Sequence, residues 1–471
     1  MPMKSLAFVA AVLWFLPVSP LLEAQTEEAL RRGLERSLLE ELVGINTTSS
    51  FGSTRAAEAM AARLREAGFP ESDLILAGPQ SEKRNLVVRL RGTADVQPIL
   101  LVAHLDVVEA PPDGWDTGLE PFHLTERDGF FYGRGVLDGK HAVADLVATL
   151  VRLRAENFVP DRDVIVALTA DEEGGGANGV AWLLASHPDW IDAAYCLNLD
   201  TGGGQIEGGK RLRMTVQTSE KAYLSFRAQT RSVGGHSSLP DKENAIYQLS
   251  GGLSRLSEGD LPLRFNETTR AYFGRMATLQ TGSVAVDMKA VAQDSPDLEA
   301  AVRLATMSPY YNALLRTTCV ATRIEGGHAD NALPQSASAV INCRVFPGDT
   351  PEFVREALAG LLADPGIEVR PMNRARPSPA SPLVPEVMDA VETITGQMWP
   401  GIPVIPVMDP WASDSATLRR AGIPTLGVSG TFGELDFGNA HGANERLPVD
   451  AYYEGVEFVY RLVKALSRPV M

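Results

Sequence analysis

Three short apolar runs, each followed closely by a residue able to bind a cation, limit what this chain can build. They lie at residues 99–103 (ILLVA), 163–168 (DVIVAL) and 193–199 (AAYCLNL), with helical periodicity at 142–154 and 178–185 between them. Strands buried on both faces read as near-continuous apolar runs, and strands alternating with helices predict an α/β sheet with substantial parallel content. Residues 85–91 (NLVVRLR) alternate as a further strand, and 27–45 and 54–66 repeat with helical spacing. In such sheets chemistry collects outside the carboxyl ends of the strands.

The pattern changes near Arg213. A strand at 221–230, a helix at 242–256, strands at 317–324 and 337–346, a helix at 351–362 and a short strand at 367–371 follow in turn. The order β-α-β-β-α-β is that of a small two-layer, ferredoxin-like unit. An additional stretch, 258–312, interrupts it and carries no readable role. After Arg376 the α/β pattern resumes, ending in an amphipathic helix at 452–466. The expected organisation is a signal peptide (1–24), a large mixed-sheet domain in two parts (25–215 and 375–471) and an inserted lid or dimerisation domain (216–374).

A chain of 471 residues is too long for one ordinary core, in keeping with two domains. Its 45% hydrophobic and 22% charged residues describe a folded globule. A formal net charge of −16 without a Lys/Arg-rich run argues against nucleic acid as partner. At the N-terminus Lys4 precedes the apolar run 6–16 (LAFVAAVLWFL), broken by Pro17 and Pro20. That run is too short to span a bilayer, so cleavage near Ala24 and a periplasmic or secreted product without stable membrane insertion are expected. Cys196 falls in an apolar run. Cys319 and Cys343 flank a turn-rich segment near Asn331, where antiparallel strands would face them towards each other, and oxidation would be open to an exported chain.

The residues with chemistry occupy strand ends and loops. His104-Leu105-Asp106 puts a histidine and a carboxylate two apart, on one side of an extended segment. Asp138 leaves the glycine-rich turn Gly133-Arg134-Gly135. Asp171-Glu172-Glu173 ends one strand, Asp200 ends another, and His441 stands in a late loop. Singly each motif has a bland reading: a histidine after an apolar run is ordinarily structural, and adjacent acids are ordinarily solvated turn residues. Jointly they bring several carboxylates and two imidazoles together, and carboxylates converging without cations repel. Mixed imidazole and carboxylate ligands without thiolate suit zinc in a hydrolytic site, and cobalt or manganese would accept the same donors.

The ordered set H-L-D, G-R-G-x-x-D-x-K, D-E-E, L-D, G-G-H-S-S-x-P and H-G-x-N-E resembles the co-catalytic zinc peptidases and deacylases that include carboxypeptidase G, acetylornithine deacetylase, succinyl-diaminopimelate desuccinylase and aminoacylase. The resemblance runs from about residue 28 to the C-terminus. It implies two zinc ions per subunit, with Asp138 bridging, His104 and Asp200 completing one site, and Glu173 and His441 the other. By the same resemblance Asp106 would orient His104, Glu172 would be the general base, and His236 would stabilise an oxyanion, often across a homodimer formed by the inserted domain. Asn331 would contact substrate. Arg344, on a strand, would grip the substrate carboxylate in a bidentate fork, with Arg376 a second candidate and Ser413 lining the pocket. His141 and the Asp200-Thr201-Gly202 stretch depart from the family pattern without removing a required group.

These readings imply hydrolysis of a peptide or N-acyl amide bond next to a free carboxylate. Carboxypeptidase or dipeptidase activity and N-acyl-amino-acid hydrolysis stay open as alternatives. A non-catalytic secreted peptide-binding protein is the reading from another class.

Overall fold

The computed structural model describes residues 20–174, 176–374, 376–434 and 437–468. The expected signal peptide falls largely outside them. In chain order the first elements are α1 (Pro20–Gly44), α2 (Thr54–Glu66), β1 (Leu74–Gln80), β2 (Lys83–Leu90), β3 (Ile99–His104), α3 (Lys140–Ala155), β4 (Val164–Thr169), α4 (Gly179–Ser186), β5 (Tyr195–Asn198), β6 (Gly203–Glu207) and β7 (Lys210–Glu220). Then come β8 (Ala222–Arg231), α5 (Ala245–Glu258), α6 (Glu267–Met276), α7 (Gly282–Val291), α8 (Leu298–Met307), α9 (Pro309–Leu315), β9 (Thr318–Gly326), β10 (Ser336–Val345), α10 (Pro351–Leu362) and β11 (Glu368–Pro371). The chain ends with α11 (Pro385–Met398), β12 (Val404–Asp409), α12 (Asp414–Arg420), β13 (Thr425–Gly427), β14 (Phe432–Glu434) and α13 (Val449–Leu466).

The large sheet runs β1-β2-β4-β3-β5-β13-β7-β6-β14, with β12 also paired to β7. It is mixed: β3 is parallel to β4 and β5, whereas β2 is antiparallel to β4. Its apolar runs are buried on both faces by a period of two. Leu101, Ala103, Val166 and Leu168 face a core shared with α1, α2, α3 and α13. Leu100, Val102, Ile165 and Ala167 face the opposite core, with Val180 of α4 and Leu418 of α12. Helix α2 shows why such segments are helical: Ala56, Ala57, Met60, Ala61 and Leu64 are its buried residues, a stripe at three- and four-residue spacing. A fully buried Met or Leu side chain of this kind contributes roughly 1.5–3 kcal/mol, and an alanine less. Among the described residues no helix is long and apolar enough to cross a membrane.

A second sheet, ordered β9-β10-β8-β11, is covered by α5 and α10. Two expectations need correction. Strand β7 continues, buried, to Glu220, so the large sheet extends past residue 215 before the chain crosses at Lys221. The stretch inside 216–374 that resisted reading folds as α6–α9, and it does not join the small sheet. Tyr272, Phe273, Met288 and Leu304 share a core with Ile405, Val407 and Met408 of β12, in the large sheet. Its contacts are with residues about a hundred positions away, which periodicity cannot reveal.

Candidate active site

His104 is the last residue of β3, fixed in place where the Leu105 N–H donates to the Thr169 carbonyl at 2.7 Å. Its Nε2 lies 3.1 Å from both Asp138 Oδ1 and Asp200 Oδ1. Asp200 follows β5, with its N–H bonded to Asn198 Oδ1 at 3.0 Å, and Asn198 is in turn held by Ser415 Oγ at 2.9 Å. His104 Nδ1 donates to the main-chain carbonyl of Asp106 at 2.9 Å, and the Asp106 carboxylate stays 3.8 Å from that nitrogen. The expected orienting contact is therefore made by backbone rather than by side chain.

The Asp106 carboxylate has another task. Its two oxygens accept the N–H groups of Glu172 and Glu173, each at 3.0 Å. The turn carrying these acids leaves β4 through Asp171, whose φ of 60° lies in the left-handed region. Asp171 is anchored by an ion pair with Lys83 and by the Ala177 N–H at 2.8 Å. With the turn so fixed, Glu173 Oε1 reaches His441 Nε2 at 3.1 Å. The neighbouring Glu172 carboxylate faces the cavity and accepts no hydrogen bond from any described residue. Burial pushes Glu172 well above the usual carboxylate range, with Asp414, Asp200 and Glu173 adding to the effect and His104 opposing it.

Asp138 joins the two halves. Its Oδ1 faces His104 and its Oδ2 lies 2.9 Å from His441 Nε2. The Asp138–Gly139 peptide bond is cis, and a Cβ at Gly139 would meet His104 Nε2 at 2.6 Å, so a side chain there would have to displace the imidazole. The loops bearing Asp138 and His441 are locked by Glu445, which is fully buried. Its carboxylate accepts the N–H groups of Gly135, Leu137 and Asp138 at 3.0, 2.9 and 3.0 Å and pairs with Arg134 at 2.6 Å.

The result is two ligand triads sharing one residue: His104, Asp138 and Asp200; and Asp138, Glu173 and His441, with donor atoms within 4.8 Å of one another. Their electrostatics call for positive charge. Hydrogen bonds to Asp138 and Glu173 push the His441 imidazole up to about 10. Burial alone would lower His104, yet Asp200 and Asp138 outweigh it and hold that ring well above its ordinary value. Donor set and field both fit a pair of divalent cations.

Beside the triads opens a cavity of about 720 Å³, lined by Glu172 and Glu173 at one end. Arg344 lines it, stacked 5.0 Å over the Tyr223 ring and without an acidic partner among the described residues. Arg376 and Ser413 line it too, but the Ser413 hydroxyl is committed to Glu220 Oε2 at 2.8 Å. Lys221, Arg420, Asp414 and Glu220 also border the cavity. Of these, Lys221, Arg420 and Glu220 have no local motif to flag them, and reach it only through tertiary folding. No residue of 258–312 is among its lining residues. His236 and Asn331 stand together where Ser237 N–H bonds the Asn331 carbonyl at 3.1 Å, but both are exposed and neither borders the cavity. His236 Nδ1 is 2.6 Å from Ser238 Oγ.

Mixed-sheet fold, paired ligand triads and an adjoining cavity define a metal-dependent hydrolase with two cation positions. Residues 100–465 match the Peptidase family M20/M25/M40, and the chain belongs to that family. It is 30% identical over 383 residues to the N-fatty-acyl-amino acid synthase/hydrolase PM20D1 of Homo sapiens, covering 78% of this chain and 74% of the relative. To the probable carboxypeptidase S-like 2 of Dictyostelium discoideum it is 27% identical over 392 residues, covering 81% and 74%. The crystal structure of the M20 family metallo-carboxypeptidase Sso-CP2 from Sulfolobus solfataricus superposes with a TM-score of 0.68 at 18% identity, over 92% of this chain and 99% of that one.

Proposed function

We propose that the chain hydrolyses the amide bond between an acyl or peptidyl group and an amino acid with a free carboxylate, in the presence of two zinc ions. The observation that carries this reading is the Asp138 carboxylate shared between His104 and His441, with the unpartnered Glu172 carboxylate beside it. Zinc held by the two triads would supply Lewis acidity towards the amide carbonyl and a lowered pKa for a water molecule. Glu172 takes a proton from the attacking water and delivers it to the leaving nitrogen. Arg344 offers a planar fork to the substrate carboxylate, and the Tyr223 face holds the guanidinium in orientation. The relatives named for N-fatty-acyl amino acids and for carboxypeptidase activity support both substrate kinds.

Two further points belong to the proposal. Export is supported by the apolar run 6–16 and by the Cys319–Cys343 disulfide, a bond that persists in oxidising compartments. A homodimer is supported by the edge strand β9, on which Val320 and Ile324 are 60% and 61% exposed, and by the solvent-facing His236, which a second copy would bring to the cavity. Mixing inactive Glu172→Gln and His236→Ala proteins tests this: restored turnover supports a site shared between copies, and none refutes it.

The primary test pairs dipeptides with N-acyl amino acids, each beside its carboxyl-amidated form. Glu172→Gln should lose about 10²–10⁴-fold in kcat while still binding two metal equivalents. Unchanged turnover in that variant, or equal cleavage of amidated substrates, would sink the reading.

A further inference from the structure

The cavity carries more positive charge than one substrate carboxylate needs. Four basic side chains border it: Lys221, Arg344, Arg376 and Arg420. Among the described residues none of the four forms an ion pair. They divide into two pairs on different segments. Lys221, at the crossing between the sheets, is buried, and burial together with Arg344 of β10 pushes its ammonium down to about 7 against the pull of Asp349; its Nζ donates to Thr318 Oγ1 at 3.1 Å. Arg420, at the end of α12, repels Arg376 and donates to the Arg376 carbonyl at 2.8 Å and to Thr417 Oγ1 at 2.9 Å. A guanidinium has five N–H donors, so Arg420 keeps others for a ligand.

The acids in the cavity make no ion pair with these four among the described residues, although Glu220 attracts Arg420 from a distance. Glu172 and Glu173 belong to the metal end. Glu220 is taken by Ser413 and by Gln217 Nε2 at 3.0 Å, and Asp414 by Asn178 Nδ2 at 2.7 Å and Thr169 Oγ1 at 3.2 Å. Apolar material is sparse as well. Tyr223, Trp411 and three alanines line the cavity, with no leucine, isoleucine, valine, methionine or phenylalanine among its lining residues. A long hydrocarbon chain would find little to pack on there, whereas an anion would find donors that lack acidic partners.

We infer that the substrate carries two carboxylates, one for the Lys221–Arg344 pair and a second for the Arg376–Arg420 pair. The inference rests on the amide hydrolysis proposed above and names its substrate class. The second carboxylate would come either from an acidic leaving amino acid or from a dicarboxylic acyl group. Both present the same chemistry, a carboxylate a few bonds from the scissile amide.

The zinc-loaded full chain is assayed on two isosteric pairs, N-acetylglutamate against N-acetylglutamine and N-succinyl-leucine against N-succinamyl-leucine, with N-palmitoyl-leucine beside them. The expected result is a kcat/KM about tenfold or more higher for the charged member of one pair, and the responding pair identifies which side holds the second carboxylate. In Arg376→Gln/Arg420→Gln that ratio falls towards one, while in the parent it shrinks with added salt. The parent ratios need no variant, so misfolding of the double mutant cannot mask the answer. Equal rates within both pairs, or a preference for the palmitoyl substrate, would overturn the inference and leave amide hydrolysis standing. No turnover on any of the five overturns both.

Discussion

Glu445 and Asp138 are joined by a 3.0 Å hydrogen bond from the Asp138 N–H to Glu445 Oε1, across 307 residues of chain. Through it the loop carrying His441 and the loop carrying Asp138 behave as one body. The same carboxylate pairs with the buried Arg134 guanidinium. Removing one partner of a buried pair strands the other charge, a loss of about 3–5 kcal/mol. Glu445→Ala should lower stability by that amount in urea and weaken cation binding by about 10–100-fold in chelator competition. An alanine variant that binds metal as tightly as the parent would refute the tie.

Asp106 acts on Glu172 and Glu173 through their amides, and this distinguishes it from a residue that acts on His104 by its charge. Asn at 106 keeps one acceptor and turns an NH₂ towards a remaining N–H, so Asp106→Asn should be nearly as damaging as Asp106→Ala. Both should lose about 10–100-fold in kcat, with the weakened cation site on the Glu173–His441 side. Calorimetric titration separates the two binding steps. Loss confined to the His104–Asp200 site would show that Asp106 works through the imidazole instead.

The candidate ligands were legible only as a set, with His104, Glu173 and Asp200 near strand ends, Asp138 after a glycine-rich turn and His441 in a late loop, and the family resemblance implied their division into two triads. Arg344 was legible as an arginine on a strand, and its grip on a substrate carboxylate was an expectation beside the resemblance. What supports them was not. Glu445 was in view as the last residue of H-G-x-N-E but without a role, and only the tertiary fold brings it to the amides of Leu137 and Asp138. Asp106 was noticed, but spacing cannot say whether a carboxylate will choose a ring nitrogen or two backbone N–H groups. Helices α6–α9 show the same limit at a larger scale: the stretch 258–312 carried no readable role, because its partner, β12, lies far along the chain.

The Cys319–Cys343 bridge lies on adjacent strands, one register step from the Thr318–Arg344 pair. Closing a loop with a sequence separation of 24 stabilises a fold by about 3 kcal/mol through the unfolded chain. Cys319→Ser/Cys343→Ser should therefore melt earlier than the oxidised parent, and reductant should move the parent towards the variant. The KM of substrates with a free carboxylate should rise as Arg344's strand loosens, while amidated substrates change little. Identical melting with and without reductant would show that the bridge contributes nothing.

Glu35 of α1 and Asp145 of α3 are buried acids, and among the described residues Glu35 Oε2 and both Asp145 oxygens have no hydrogen-bond partner. Burial pushes Glu35 up to about 7 against the opposing charges of Arg31 and Arg152, with Glu457 adding to the rise. Burial and Glu35 push Asp145 up as well. The sign follows from proton counting. Between the ordinary value of 4.5 and about 7, native Glu35 holds a proton that the unfolded chain has released. The native state then binds more protons, so its stability falls as pH rises through that window. The shift corresponds to about 3 kcal/mol. Glu35→Gln keeps the shape without the charge, so it should flatten the fall between pH 5 and 7.5 and leave the variant more stable than the parent at pH 8. Urea titrations of both proteins at each pH decide the matter, and parallel curves would show that Glu35 is ionised in the native fold.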